Sequence, residues 1–434
     1  MAYWDFGSYI PVTGITGNHW GNTSLRLSQS TNLIKIALVA GLGIELAGFV
    51  VPACALEGDV LKPYASLTYS YDDNLRRFAS KQLAQMSTGS SDTSDTMLVK
   101  SAGIVLDHTI SRQKMYVDFR LNKSTFNKNS ELDNDGRDVI ARWDWELGNR
   151  LEGKVEFFHK KALVPFSEFQ PLQGTMLSLN TRTQDRRLLE ARWMLHPRWR
   201  VRGAFIYSEM EYGAEAQRAA NLKEDIQEIG FDYLSPTKSI IGVLYRNTKG
   251  SKPQQAFQGS FISNDYDQNE LKLNVDWAVT GKSRLQFLGG LVDRQHEQLS
   301  QRDFRGVNAR GNFNWMTSGK TNLNAAVWRE NNAQSFVTTS YTLNRGTSLT
   351  ANLQATGKIA VQGVLKYEKR DFEGDQIFGQ FRSDKDKSFM LSLMYNPVTS
   401  FRITTSFIHS DRESTSDMFE FRSNSVSVTG QYEF

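Results

Sequence analysis

The chain has 434 residues, with 51 Lys+Arg against 47 Asp+Glu for a formal net charge of +4, and it is 39% apolar and 12% aromatic. A basic surplus this small, spread along the chain, argues against nucleic acid as a partner. The single cysteine, Cys54, excludes an intrachain disulfide and a multi-cysteine metal centre. Low apolar content with abundant aromatics fits a protein in which every second residue of short strands faces lipid or core.

Taken from the N-terminus, residues 1–31 hold Trp4, Trp20 and several glycines but little charge. They form an atypical extension, consistent with translation starting near Leu33. Residues 32–55 read as a secretory signal peptide. The apolar run Ile36–Val51, broken by Glu45, follows Arg26 and Lys35 and leads into Pro52-Ala53-Cys54-Ala55. Ala53 and Ala55 make a small-x-small site, with cleavage expected after Ala55. Two alternatives stand beside this reading. A membrane anchor would place Glu45 near mid-membrane, where a charge is costly. Lipidation of Cys54 would follow a proline, Pro52, and cleavage after Ala55 would remove Cys54 altogether.

Residues 56–434 form the expected mature domain. No segment after Leu56 has a convincing 3.6-residue period, whereas strict alternation recurs to the end. Met115, Val117, Phe119 and Leu121 alternate with Lys114, Tyr116, Asp118 and Arg120. Val139 to Leu147, Leu271 to Val279 and Val307 to Trp315 behave the same way. In the last strand Val426, Val428, Gly430, Tyr432 and Phe434 share one face. Tight turns are expected at His108–Arg112, Leu147–Arg150, His196–Arg198, Ser235–Thr237, Thr280–Ser283, Thr317–Lys320, Thr356–Lys358 and Asn396–Thr399. Longer polar segments lie between them, such as Asp72–Thr96, Lys161–Thr183, Gly250–Asp265 and Asp371–Lys385. Short turns on one side and long loops on the other characterise an all-β, transmembrane, antiparallel up-and-down β-barrel. Eight tight turns with both ends on one side imply about 18 strands, of roughly 10 or 11 residues each. A β-propeller is the rival, but its blades need four strands in the interval where only about two long ones fit.

A spanning sheet must close, and it presents an apolar face to lipid and a polar face to its lumen. Trp143, Trp145, Trp193, Trp277, Trp315 and Tyr395 lie near tight-turn ends and are assigned to a periplasmic aromatic girdle. The lumen-facing candidates are Lys114, Asp118, Arg120, Arg142, Asp144, Glu146, Glu190, Arg192, Arg202 and Arg310. Charges of both signs on neighbouring strands brace a wall by pairing, and secondarily tune selectivity. Tyr116, Phe158 and Trp328 are the inward aromatics available as sugar platforms. Leu132-Asp-Asn-Asp-Gly136 lacks the ladder and closing Glu of a calcium loop and reads as a polar loop. The histidines His19, His108, His159, His196, His296 and His409 have no neighbouring nucleophile motif, and no phosphate loop, dinucleotide fingerprint or zincin pattern occurs. No catalysis and no cofactor are expected.

The terminal Val-Thr-Gly-Gln-Tyr-Glu-Phe, with Tyr432 and Phe434, resembles the C-terminal strand recognised by the outer-membrane barrel-assembly machinery. Tyr69-Ser-Tyr-Asp-Asp-Asn-Leu75, Ser111-Arg-Gln-Lys114, Leu132–Gly136, Trp143-Asp-Trp145 and Leu147-Gly-Asn-Arg150 resemble the EpsL-type β-barrel porins, which are encoded with exopolysaccharide biosynthesis systems. Arg76 departs from that pattern, where an aromatic is expected. The resemblance implies an outer-membrane barrel of a Gram-negative bacterium that acts in polysaccharide synthesis or export. Its implied partners are outer-membrane lipid, the assembly machinery, the polysaccharide and other export components. The alternatives are an envelope scaffold that conducts little and a general diffusion porin.

Overall fold

In the computed structural model the described residues are 60–168, 178–257, 260–336, 339–373 and 382–434. The signal peptide, Ala53, Ala55 and the extension therefore lie outside the described residues. The first nine strands are β1 (Leu61–Asp72), β2 (Asp95–Ile110), β3 (Gln113–Phe126), β4 (Asn134–Leu147), β5 (Leu151–Leu163), β6 (Thr181–His196), β7 (Trp199–Tyr212), β8 (Leu222–Leu234) and β9 (Ile240–Ser251). A short hairpin, β10 (Gln255–Phe257) and β11 (Ser260–Ile262), interrupts the series. There follow β12 (Tyr266–Thr280), β13 (Ser283–His296), β14 (Phe304–Met316), β15 (Thr321–Phe336) and β16 (Thr339–Gln354). The last four are β17 (Ile359–Glu373), β18 (Arg382–Val398), β19 (Phe401–Ser414) and β20 (Phe421–Glu433).

Apart from that hairpin, each strand pairs antiparallel with the next, and β9 pairs with β12. Then β1 pairs with β20, Tyr64 opposite Glu433 and Asp72 opposite Ser425, so the 18-stranded sheet closes. Closure leaves no ladder hydrogen bond open to lipid, the condition a spanning sheet must meet. The expected fold class and strand number are those found. All eight expected tight turns join consecutive strands, and the long connections gather at the other end. At the first turn Ser111 takes φ 57, the left-handed geometry that matches a two-residue connection to strand twist.

Two expectations need correction. Barrel strands run from 12 to 17 residues rather than 10 or 11. Pairing continues past the lipid boundary at the long-loop end, where the outer face turns polar and apolar alternation disappears. For the same reason Asp371–Lys385 is not one loop: β17 continues to Glu373 and β18 already begins at Arg382.

The alternating side chains sort cleanly. Even-numbered residues face the lumen on β1, on β3 to β9 and on β12 to β19, whereas odd-numbered ones do so on β2 and β20. The opposite face carries the large exposed apolar side chains, among them Phe205, Ile229, Leu291 and Val327. Such a continuous apolar exterior is the lipid-facing band of an outer-membrane barrel.

Candidate functional site: the lumen and its inward turn

Lys114, Asp118 and Arg120 on β3, Arg142, Asp144 and Glu146 on β4, Glu190 and Arg192 on β6, Arg202 on β7 and Arg310 on β14 all occupy lumen-facing positions. Arg120 pairs with Asp138 at 2.7 Å, Arg142 with Asp144 at 3.1 Å, Arg192 with Glu190 at 2.5 Å and Arg310 with Glu330 at 2.7 Å. Asp118 accepts the Tyr64 hydroxyl at 3.1 Å. Lys114 and Glu146 are exposed at the tight-turn rim. Trp143, Trp193, Trp277, Trp315 and Tyr395 project outward near that rim. Trp145 also points outward, but its ring folds over Gly153 on the neighbouring strand.

The sequence reading had Arg200 and Glu270 facing inward but missed the charges that partner them, Asp232, Arg246 and Glu228, and those of β17 to β19. Arg200 donates to Asp232 at 2.7 Å with both side chains almost fully buried. Arg246 joins Glu228 at 2.6 Å and Glu270 at 3.8 Å. A second network spans β17 to β19: Arg370 to Asp386 at 2.5 Å, Arg382 to Asp384 at 2.5 Å and Arg412 to Asp386 at 2.7 Å. The signal was present, since Glu368 and Arg370 on β17 continue the even-numbered alternation through Lys366. The charges of β18 were hidden in a segment assigned to a loop. Removing one member of such a pair leaves a buried charge uncompensated, so the networks hold the wall rigid.

The inward aromatics are not open platforms. Trp328 is buried, its Nε1 donates to Glu368 at 3.0 Å, and its ring lies between Arg310 at 5.0 Å and Lys366 at 5.6 Å. It also covers Gly346 across the strand pair, as Tyr64 covers Gly103 and Tyr266 covers Gly250. A ring laid over a facing glycine fills the space a missing side chain leaves and fixes the register. Tyr116 is half-buried beneath Arg142, whose guanidinium is 5.7 Å from its ring centre. Phe158 is half-buried on β5.

Between these ion pairs the wall carries neutral polar groups. On β14 to β16 it presents Asn308, Asn312, Asn314, Asn322, Asn324, Asn344 and Asn352. From β18 through β20 to β1 it presents hydroxyls, with Ser392 bonded to Ser406 and Thr68 to Thr429, both at 2.8 Å. The side-chain oxygens of Asn322 and Asn344 have no hydrogen-bond partner among the described residues.

At the long-loop end one connection turns inward. After β5 the chain makes a 3-10 turn, Phe166–Glu168. Phe166 packs with Phe126, Leu132 and Val164, and Arg76 lies 5.6 Å from its ring centre. Arg182 pairs with Glu168 at 2.7 Å. Arg412, on β19 six strands away around the ring, donates to the Ser167 carbonyl at 2.8 Å. The turn therefore reaches across the mouth rather than lying along one wall. Burial pushes the Glu168 carboxyl above its usual range, and Arg182 offsets only part of that. Leu132, in a segment read as a polar loop, is fully buried beneath the turn.

The motifs that carried the family resemblance lie at two structural joints. At the long-loop end, Asp72 binds Arg77 at 2.8 Å, Asp73 receives the Asn424 amide at 2.7 Å, and Asn74 donates to the Arg422 carbonyl at 3.0 Å. Arg76, the departure, reaches Asn129 at 3.0 Å and also pairs with Glu131. At the tight-turn end, Arg112 donates to Asn149 at 2.9 Å, and Gln113 accepts the Trp143 indole at 2.9 Å. These residues tie β1 to β20 and the first tight turn to the second.

Residues 262–434 match the model of the family described as "Putative beta-barrel porin 2". The comparison with curated proteins found no match. Among solved structures, OccK2 (OpdF) of Pseudomonas aeruginosa is 11% identical, with 86% of this chain and 98% of that chain covered at a TM-score of 0.48. A BenF-like porin from Pseudomonas fluorescens Pf-5 is 10% identical over 86% and 99% of the chains, with a TM-score of 0.48. OccK9 (OpdG) of Pseudomonas aeruginosa is 12% identical over 87% and 100%, with a TM-score of 0.46. The closed barrel and its apolar exterior are those of an outer-membrane β-barrel of a Gram-negative envelope, and residues 262–434 are similar to the "Putative beta-barrel porin 2" family.

Proposed function

We propose that this barrel is a passage for a newly made exopolysaccharide across the outer membrane. The observation that carries the reading is the set of amides and hydroxyls on the lumen side of β14 to β16 and of β18 to β1, between the ion pairs of Arg310 with Glu330 and of Arg412 with Asp386. A sugar polymer presents hydroxyls that both donate and accept, and side-chain amides and hydroxyls match them without the strong desolvation cost of fixed charge. Eighteen strands enclose an aqueous channel unless loops fill it, and the ion pairs around the ring keep that channel open. Roles in the lumen follow: Arg120, Arg142, Glu190, Arg192 and Arg310 brace, while the asparagine strip contacts the polymer. Tyr432 and Phe434 serve as the assembly signal, and the outward Trp143, Trp193, Trp277, Trp315 and Tyr395 as the periplasmic girdle.

A general diffusion porin is the second reading, favoured by the inward turn Phe166–Glu168, which narrows the mouth as a porin loop does. Deleting the gene separates the two. Loss of surface exopolysaccharide with unchanged uptake of small hydrophilic solutes supports the export reading. Normal exopolysaccharide with reduced uptake would replace it with the porin reading.

A further inference from the structure

On the outer wall, one row of charge departs from the pattern elsewhere. Arg329 of β15 lies opposite Arg345 of β16, Arg345 opposite Lys369 of β17, and Lys369 opposite Lys385 of β18. All four are odd-numbered and project away from the lumen. Four cations thus stand abreast on strands about 4.8 Å apart, although like charges directly opposite each other destabilise a sheet. Another sector of the same outer wall alternates instead, with Asp225, Lys249 and Asp267 facing one another across β8, β9 and β12.

The carboxylates nearby do not balance the row. Asp371 serves two of its members, Lys369 at 2.9 Å and Arg345 at 3.8 Å. Glu413, opposite Lys385, is paired to a fifth cation, Lys387. Arg329 donates to the Val307 carbonyl, which carries no charge.

Height fixes what meets the row. Lys369 is ten residues beyond Ile359, the first residue of β17 after a tight turn. At about 3.4 Å per residue and a tilt of about 40°, it stands about 26 Å above that turn, at the top of an apolar band about 25 Å tall. Just below the row is a groove of about 320 Å³ whose outward side chains include Leu349, Leu365 and Phe389, with Lys387 and His409 beside them.

We propose that this face of β15 to β18 docks a phosphate-bearing lipid of the outer leaflet. Its phosphates neutralise the cation row, and one acyl chain lies in the groove beneath. Neither feature alone makes such a site. Their stacking, with charge at headgroup height directly above an apolar trough, matches the two ends of one amphipathic lipid.

The test uses the full-length mature barrel in a neutral maltoside detergent, with diphosphorylated lipid A as the probe. Native mass spectrometry counts bound lipid for the natural protein, for the triple variant Arg345→Gln, Lys369→Gln, Lys385→Gln, and for Lys249→Gln as a control. The natural protein and the control are expected to retain lipid at least about tenfold more than the triple variant. Thermal unfolding supplies a second readout with opposite signs. Without lipid, the triple variant unfolds at a higher temperature than the natural protein, because repulsion is relieved. With lipid A, only the natural protein and the control rise. Equal retention by the triple variant overturns the proposal. So does an equal rise with inorganic phosphate at the same concentration, which means simple anion screening. A natural-protein dimer that the triple variant loses, formed without lipid, reassigns the face to a second copy.

Discussion

Replacing Phe166 with alanine removes the side chain that anchors the inward turn. Its ring is 7% exposed and packs against Phe126, Leu132 and Val164, with the Arg76 guanidinium on its remaining side. Phe→Ala in a packed core costs about 3–5 kcal/mol. Because one neighbour here is a guanidinium rather than apolar carbon, the lower end, about 3 kcal/mol, applies. At about 1.4 kcal/mol per decade, the undocked fraction of the turn rises about a hundredfold. The ladder between β5 and β6, Leu151 to Leu163 against Trp193 to Thr181, does not depend on that ring. Single-channel recording is therefore expected to show larger or longer open states, and amide exchange of Glu168 and Leu132 to accelerate, with little change in the denaturant midpoint of the whole barrel. Unchanged conductance together with unchanged exchange would refute the assignment of this cluster as the anchor. Collapse of the whole barrel would show instead that the cluster supports the wall.

Three further outcomes follow from the same geometry. Because burial raises the Glu168 carboxyl, docking of the turn is strongest below the ordinary carboxylate value of about 4.3 and weakens as pH rises through the raised value. Conductance of the natural protein should then increase with pH while Glu168→Gln stays flat, and parallel pH profiles would remove Glu168 from the account. Arg142→Trp, placed on the lumen wall over Tyr116, should reduce both single-channel conductance and secreted polymer, whereas unchanged secretion would favour a scaffold. Gly290→Ala would drive a Cβ onto the Leu271 carbonyl and to 2.7 Å from Lys272 Cα, costing about 1–3 kcal/mol. Its urea midpoint should fall accordingly, and an unchanged midpoint would mean that the β12–β13 backbone yields freely there.

Where one face met lipid, the sequence was readable. The pattern of Leu271, Leu273, Val275 and Trp277 against Glu270, Lys272 and Asp276 is enforced by the bilayer, and it settles both the face and the register. Turns were readable because a short connection between long alternating runs has few solutions, as at Ser111 and at Gly148 with φ 60. Legibility failed where the bilayer ends. Lys369 and Lys385 face outward on a fully paired ladder, so polar residues occupy both faces and the alternation signal vanishes. The inward turn was unreadable for a different reason. Phe126, Leu132 and the run Leu163–Phe166 lie in three separate segments, and only the pairing of β3, β4 and β5 brings them together. Trp328 was correctly placed facing the lumen, but its burial against Glu368, Arg310 and Gly346 depends on strands that sequence alone does not juxtapose.

The most direct test of the central claim is single-channel conductance of the purified mature barrel in planar bilayers, with and without oligomers of the host's exopolysaccharide. A stable open channel that these oligomers block, and that unrelated neutral oligomers of equal length block less, is the predicted result. A channel indifferent to the oligomers, or a folded barrel that stays electrically silent, would contradict passage of the polymer through this lumen.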